Sequence, residues 1–125
     1  MVLDTSVLIA LLFNETHSVW AAQRLNASAP DLFMSTVNLT ETLIILEGRQ
    51  PRLFPELRER AFESGIRFVP PTPAQAVLAA SARLRFPLNL GDCFAYALAK
   101  DLSLPLLTLD RDFRRLDIPV VLPKR

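Results

Sequence analysis

Short apolar runs alternate with longer amphipathic stretches along the chain, and this alternation is the strongest constraint on its fold. Five short runs are typical of strands: residues 1–3, 31–35, 66–69, 104–108 and 118–122. Helical patterns lie between them: residues 7–12, 14–25, 36–46, 53–62, 73–85 and a last helix that begins near residue 92. Strands that alternate with helices favour a mainly parallel sheet. The sequence therefore predicts an α/β fold, with residues 1–125 as one domain.

The charge of the chain is nearly balanced but unevenly distributed. The net charge is only +1, so general basicity is not what would hold a polyanion. Before Glu47 the only basic residue is Arg24, and the acidic residues there are Asp4, Glu15, Asp31 and Glu41. Most basic residues follow Glu47, so a local basic rim around an acidic site is compatible with the sequence.

Several kinds of site are excluded by residues that are scarce. Cys93 and His17 are the only cysteine and histidine, which excludes an intrachain disulfide and Cys/His zinc clusters and disfavours a His-dependent triad. With 3 Gly, neither a phosphate-binding loop nor a dinucleotide fingerprint is present. The sequence shows no signal peptide or membrane-spanning stretch, and the lone cysteine fits a reducing compartment. We expect a cytoplasmic protein without a membrane partner.

Four acidic residues occur in unusual contexts. Asp4 and Asp110 each directly follow a predicted strand, and Asp92 opens a helix rich in alanine. Glu41 lies inside a strongly apolar helix, where a glutamate is rarely buried unless it is paired or bound. Strand ends and helix starts share one edge of a parallel α/β sheet, where ligands collect. We expect these four acids to converge at that edge.

Each of these residues also has a purely structural interpretation. Asp4 can cap the first helix, and Asp92 can cap the helix that it opens. Glu41 can be one solvent-facing position of an amphipathic helix. The residues alone leave these interpretations open beside a role in a site.

A cluster of carboxylates points to metal-dependent chemistry. Carboxylates held close together raise one another's pKa unless cations are present. Oxygen ligands without His or Cys select Mg²⁺ or Mn²⁺. Such an ion can activate water and stabilise the leaving oxygen of a phosphodiester, so the cluster favours phosphodiester hydrolysis.

Four segments of the chain, taken in order, carry a resemblance to a known family. They are residues 3–6 (Leu-Asp-Thr-Ser), residues 40–41 (Thr-Glu), residues 91–99 (Gly-Asp-Cys-Phe-Ala-Tyr-Ala-Leu-Ala) and residues 107–113 (Leu-Thr-Leu-Asp-Arg-Asp-Phe). The segment 91–99 is the most specific. In these segments and their spacing the chain resembles the PIN-domain ribonucleases of the VapC toxin type, over essentially its full length.

The resemblance implies a PIN-like α/β/α sandwich and a Mg²⁺-dependent endoribonuclease. It implies the toxin of a type II toxin–antitoxin system that cleaves tRNA or rRNA, with a cognate antitoxin and a homodimeric assembly. Asp4, Glu41 and Asp92 match the first three family acids. Asp4 and Asp92 are the expected direct metal ligands, with Glu41 and Asp110 as contributors.

The fourth acid has two candidates, because Asp110 and Asp112 both lie in the segment where the family places it. We favour Asp110, since it follows the strand directly after Thr108, whose hydroxyl can orient a carboxylate or a metal-bound water. Ser6, beside Asp4, is a further candidate. Arg111 is expected to point to solvent.

Two other functions fit parts of the sequence. Asp4 as a phosphoryl-accepting nucleophile suggests an aspartate-based phosphatase, but such enzymes usually place a second acid where this chain has Ser6. A non-catalytic PIN-like module that binds RNA or protein is the other alternative, although all four acids are retained.

Overall fold

The protein is described by a computed structural model that covers residues 1–124. Its centre is one parallel sheet of five short strands: β1 Val2–Leu3, β2 Phe33–Ser35, β3 Arg67–Val69, β4 Leu106–Leu107 and β5 Val120–Val121. The strand order is β3-β2-β1-β4-β5, and every neighbouring pair is parallel. The predicted α/β class and the parallel sheet are confirmed.

The helices cover both faces of this sheet. They are α1 Thr5–Leu12, α2 Ser18–Ser28, α3 Thr36–Arg49, α4 Phe54–Phe62, α5 Pro73–Arg85 and α6 Leu90–Leu102. A 3₁₀ turn, Arg111–Arg115, lies between β4 and β5. None of the helices within residues 1–124 is long and apolar enough to cross a membrane.

Successive strand residues face opposite sides of the sheet, which produces two apolar layers. Leu3 and Leu107 pack with the first four helices. Val2 and Leu106, one position earlier in each strand, pack with α5 and α6. The molecule is therefore the expected α/β/α sandwich.

Helix α6 packs both against the sheet and against α5, and small alanines on more than one of its sides fit these contacts. Ala95, Ala97 and Ala99 are fully buried. The close packing predicted for α5 is correct only in part, since Ala79 and Ala82 are buried whereas Ala76 and Ala80 are exposed. The period of the buried positions, not the alanine content, decides which of these residues meet α6.

Two predicted helix starts are wrong. Helix α2 begins at Ser18 and not at Asn14, because Asn14 and His17 adopt left-handed φ values of 52° and 72° that no α-helix contains. Helix α6 begins at Leu90, two residues before the predicted start, because Asn89 caps it. The sequence did not predict the 3₁₀ turn after β4.

A polar cluster joins α6 to the loop before β5. The buried Tyr96 donates a hydrogen bond of 2.7 Å from its hydroxyl to Asp117 Oδ1. Lys100 Nζ donates to the Tyr96 hydroxyl at 3.1 Å and to Asp117 Oδ2 at 2.8 Å. These contacts hold the pKa of Asp117 well below its ordinary value, chiefly through Lys100 and then Tyr96.

We predict that Tyr96→Phe lowers the free energy of unfolding by about 1–2 kcal/mol, since it removes both hydrogen bonds of a buried hydroxyl, one to Asp117 and one from Lys100. Urea denaturation measures the decrease. In an Asp117→Ala background the same substitution should cost less, because one of the two partners is already gone. An equal cost in both backgrounds would disprove the coupling.

Candidate active site

An open pocket of about 390 Å³ lies where the chain leaves the carboxyl ends of β1 and β4. Four acidic side chains predicted from the sequence line it: Asp4, Glu41, Asp92 and Asp110. Asp4 is buried, and the other three are half-buried. Asp112 is exposed and does not line this pocket.

The carboxylate of Asp4 serves the fold and the pocket together. Its Oδ1 accepts from Val7 N at 3.3 Å, which caps α1, and from the Ser6 hydroxyl at 2.6 Å. Its Oδ2 accepts from the Thr108 hydroxyl at 2.5 Å. The capping and site interpretations of Asp4 are therefore compatible.

The two hydroxyls that hold Asp4 also fix the segment after β4. Leu109 N donates to Ser6 Oγ at 3.1 Å, and Asp110 N donates to Thr108 Oγ1 at 3.0 Å. Ser6 and Thr108 thus orient Asp4 and set the position of Asp110.

Glu41 is held by its own helix and by α1. Its Oε1 accepts from Asn38 Nδ2 at 3.1 Å and from the Thr5 hydroxyl at 2.9 Å. The buried Asn38 also donates to Gly91 O of α6 at 3.0 Å. A β-carbon on Gly91 would overlap the Glu41 carboxylate, so glycine at this position lets α3 and α6 approach.

Asp92 belongs to a capping box at the start of α6. Asp92 N donates to Asn89 Oδ1 at 2.8 Å, and Asn89 N donates to Asp92 Oδ2 at 3.4 Å. The cap orients the side chain, while the half-buried carboxylate still lines the pocket. As with Asp4, one residue satisfies both interpretations.

Crowding and burial raise the pKa values of two of the acids. Burial raises the pKa of Asp4 to about 6, although the hydrogen bonds from Ser6 and Thr108 oppose the rise. Burial also raises the pKa of Asp92 to about 6, and the charges of Asp4, Asp110 and Glu41 add to it. The rise comes chiefly from burial, and neighbouring negative charge adds to it for both acids.

Among residues 1–124, the one basic side chain on the pocket wall is already paired. Arg49 Nη1 lies 3.3 Å from Glu15 Oε2, and both residues line the pocket. Because the pair is exposed, it contributes little to stability. It leaves the excess negative charge of the four acids in place.

The donor set suits a hard divalent cation in its chemistry. All four acids offer oxygen, and Glu41 Oε2, Asp92 Oδ1 and Asp110 Oδ2 accept no hydrogen bond within residues 1–124. In that part of the chain, no three Asp, Glu, His or Cys side chains are grouped closely enough to hold an ion as they stand. Side-chain rotation of these half-buried acids would be needed to bring ligands together.

Sequence reasoning named Ser6 and Thr108, which hold Asp4, but missed three other residues that hold the acids: Thr5, Asn38 and Asn89. Asn38 and Asn89 each precede an acid by three positions, a spacing that on a helix places two side chains together or forms a capping box. That spacing was a usable signal. The contacts of Asn38 with Gly91 and of Thr5 with Glu41 had no local signal, because they join distant parts of the chain.

Comparison with known proteins gives consistent results. The family model for the PIN domain matches residues 1–119. The VapC ribonuclease Mb0640 of Mycobacterium bovis is 35% identical over 136 residues, covering 97% of this chain and 98% of that protein. A ribonuclease VapC of Mycolicibacterium smegmatis is 35% identical over 133 residues, covering 97% of this chain and 99% of that protein.

Solved structures share the fold at lower identity. The Mycobacterium tuberculosis toxin VapC20, described as cleaving the Sarcin-Ricin loop, matches with a TM-score of 0.79 at 22% identity, covering 98% of each chain. A toxin–antitoxin complex from Klebsiella pneumoniae matches with a TM-score of 0.76 at 24% identity, covering 96% of this chain and 94% of that one.

The raised pKa of Asp92 predicts a pH-dependent effect of its removal. Between its ordinary pKa of 3.8 and its folded pKa of about 6, the folded state binds more protons than the unfolded state. The free energy of unfolding therefore falls as pH rises through that window. In chelator, Asp92→Asn should gain stability relative to the wild type as the pH is raised from about 4 to 7.

Urea midpoints at the two pH values measure this gain. Glu59→Gln on the exposed side of α4 is the matched control, and it should show no comparable gain. If Asp92→Asn differs from the wild type equally at both pH values, the assigned shift is wrong.

Proposed function

Because the chain belongs to the PIN-domain family and to its VapC ribonucleases, we propose that it is an endoribonuclease toxin of a type II toxin–antitoxin system. One PIN domain, residues 1–125, would carry the activity. The observation that carries the proposal is the gathering of four acids from β1, α3, α6 and the segment after β4 in one pocket. The names of the relatives, ribonucleases at 35% identity, support the reaction.

Mg²⁺ or Mn²⁺ is the proposed cofactor. Asp4 and Asp92 would hold it, and Glu41 and Asp110 would contribute, since all four offer the oxygen ligands that such ions prefer. When bound, the ion would supply a positive charge that polarises the scissile phosphate and lowers the pKa of a water molecule.

The residues of the chain would supply orientation. The Ser6 and Thr108 hydroxyls hold both oxygens of Asp4, so this carboxylate cannot swing away when RNA arrives. Asn38 and Thr5 hold one oxygen of Glu41 and leave the other free. Asn89 N donates to one oxygen of Asp92 and leaves the other free to bind the ion.

The substrate, the protein partner, the assembly and the location are inferred from the family. We propose tRNA or rRNA as the substrate, a cognate antitoxin as a protein partner, a homodimer as the assembly and the cytoplasm as the location. The match to a structure described as a toxin–antitoxin complex supports a fold that accommodates such a partner.

Neither alternative function is favoured by an observation. An aspartate-based phosphatase usually has a second acid two positions after its nucleophile, and the residue there is Ser6, whose hydroxyl donates to Asp4 Oδ1. A non-catalytic module has no need for four acids gathered in one pocket.

The first prediction concerns the four acids. Asp92→Asn should lower kcat for RNA cleavage in Mg²⁺ by at least about 100-fold. Even residues that only hydrogen-bond to a metal ligand contribute about 10–100-fold to metal affinity or activity. Chelator should abolish cleavage by the wild type. Gel analysis of RNA fragments measures both effects, and far-UV circular dichroism checks the fold.

Asp31→Asn is the matched control. Asp31 is exposed and precedes β2, so it lies at the amino ends of the strands, whereas the pocket lies at their carboxyl ends. Cleavage should therefore be unaffected. Asp110→Asn should lower kcat far more than Asp112→Asn, because only Asp110 lines the pocket. Normal cleavage by Asp92→Asn would overturn the proposal.

A second prediction concerns Gly91. A methyl group there would displace the Glu41 carboxylate, and a misplacement of about 1 Å can cost about 100-fold in rate. Gly91→Ala should therefore lower kcat by about that factor and lower the free energy of unfolding by about 1 kcal/mol, because the displaced carboxylate loses its hydrogen bonds to Asn38 and Thr5.

Gly48→Ala in α3 is the matched control, because a methyl group there meets no atom within 4 Å. It should gain about 0.5–1 kcal/mol of stability, because alanine is favoured over glycine in helices, and keep full activity. Retained activity in Gly91→Ala would show that the position of Glu41 is unimportant.

A further inference from the structure

A second cavity lies beside the acidic pocket and carries the opposite charge. It has a volume of about 220 Å³, and its lining comprises Pro87, Arg111, Asp112, Arg114 and Arg115. We call it the arginine cavity. Three arginines face one aspartate there, so its charge is net positive.

The arginine cavity adjoins the acidic pocket through two separate segments. Asp110, on the pocket wall, caps the 3₁₀ turn by accepting from Asp112 N at 2.9 Å. Pro87 lies two positions before Asn89, which also lines the acidic pocket. A rise of about 2 Å per residue places Arg114 and Arg115 roughly 8–10 Å from Asp110 along the turn.

The turn that carries the arginines is anchored. The side chain of Phe113 is fully buried. Arg111 Nη2 donates to Pro123 O at 2.7 Å, so Arg111 is tied to the segment after β5 and does not point freely to solvent as expected. This hydrogen bond helps to fix the position of the turn.

Arg114 and Arg115 are available to a ligand. Both are exposed, and neither makes an ion pair with another residue of the described chain, 1–124. In contrast, Arg49 on the acidic pocket is paired with Glu15. The planar guanidinium group is well suited to phosphate oxygens.

We propose that the arginine cavity binds a backbone phosphate of the RNA next to the phosphodiester that is cut. The proposal rests on the proposed ribonuclease function and adds a subsite to it. The four acids repel a polyanion, so a neighbouring phosphate needs cationic side chains of its own. Arg114 and Arg115 provide them within one or two nucleotides of the acidic pocket.

The test measures RNA binding separately from cleavage. All proteins carry Asp92→Asn so that the RNA remains intact, and the probe is a short single-stranded RNA of mixed sequence followed by fluorescence anisotropy. Arg114→Gln with Arg115→Gln should weaken binding about 10-fold. It should also reduce the slope of log affinity against log salt by about 0.7 for each phosphate that the variant no longer neutralises.

Two matched variants control for charge and folding. Arg60→Gln removes an exposed arginine from α4, which leads into β3 at the far end of the strand order, and should leave affinity and slope unchanged. Replacement of Arg114 and Arg115 by lysine should keep most of the slope, because the charge remains.

The outcomes separate this proposal from the function on which it rests. Unchanged affinity and slope in the glutamine variant overturn the subsite, even if the wild type cuts RNA. Weaker binding with an unchanged slope overturns it also, because a phosphate contact must release counterions. If the glutamine variant has a reduced slope but the wild type cuts no RNA, the result supports a phosphate site in the arginine cavity and refutes the nuclease. If the variant loses affinity for polyglutamate and not for RNA, the subsite is overturned and the arginines serve an acidic protein partner instead.

Discussion

The burial of the Asp4 carboxylate is the constraint on which the rest of the site depends. A carboxylate taken out of water is costly unless hydrogen bonds replace the water. This chain provides them from Ser6 and Thr108, and both hydroxyls in turn accept from the backbone after β4. Satisfying one buried acid therefore fixes the path of the chain at the end of β4. The place of Asp110 is a consequence of the hydrogen bonds that Asp4 requires.

The same reasoning extends to the other two acids through helix packing. The alanines of α6 let this helix approach the sheet, and Gly91 lets the Glu41 carboxylate lie against its first turn. Asn38 then joins α3 to α6 by donating to Glu41 and to Gly91 O. The carboxylates come together because the helices that carry them are locked by their own caps and contacts. Preorganisation of this kind places charge in the site at the cost of repulsion, which contributes to the raised pKa of Asp92.

The sequence predicts the architecture and the four acids because both have local signals. Short apolar runs followed by an acid identify strand ends, and parallel sheets bring strand ends together. Contacts between distant segments have no such signal: Asn38 meets a residue 53 positions away. The left-handed φ values of Asn14 and His17, which delay α2, likewise had no signal in the apolar pattern from which the helix was predicted. The capping box shows the same limit, since Asp92 was expected both as a cap and as a site acid but its partner Asn89 was not.

Local charge, not net charge, would decide how this protein holds RNA. At physiological salt the screening length is about 8 Å, so the net charge of +1 says little about the field at the pocket. Only groups within roughly that distance of a phosphate act on it. The acids would act at the scissile phosphate through a bound cation, whereas Arg114 and Arg115 would act directly on a phosphate beside it. These two contributions have different origins, because chelation removes the first and leaves the second. A chain of balanced charge can therefore bind a polyanion at one site without general affinity for nucleic acid.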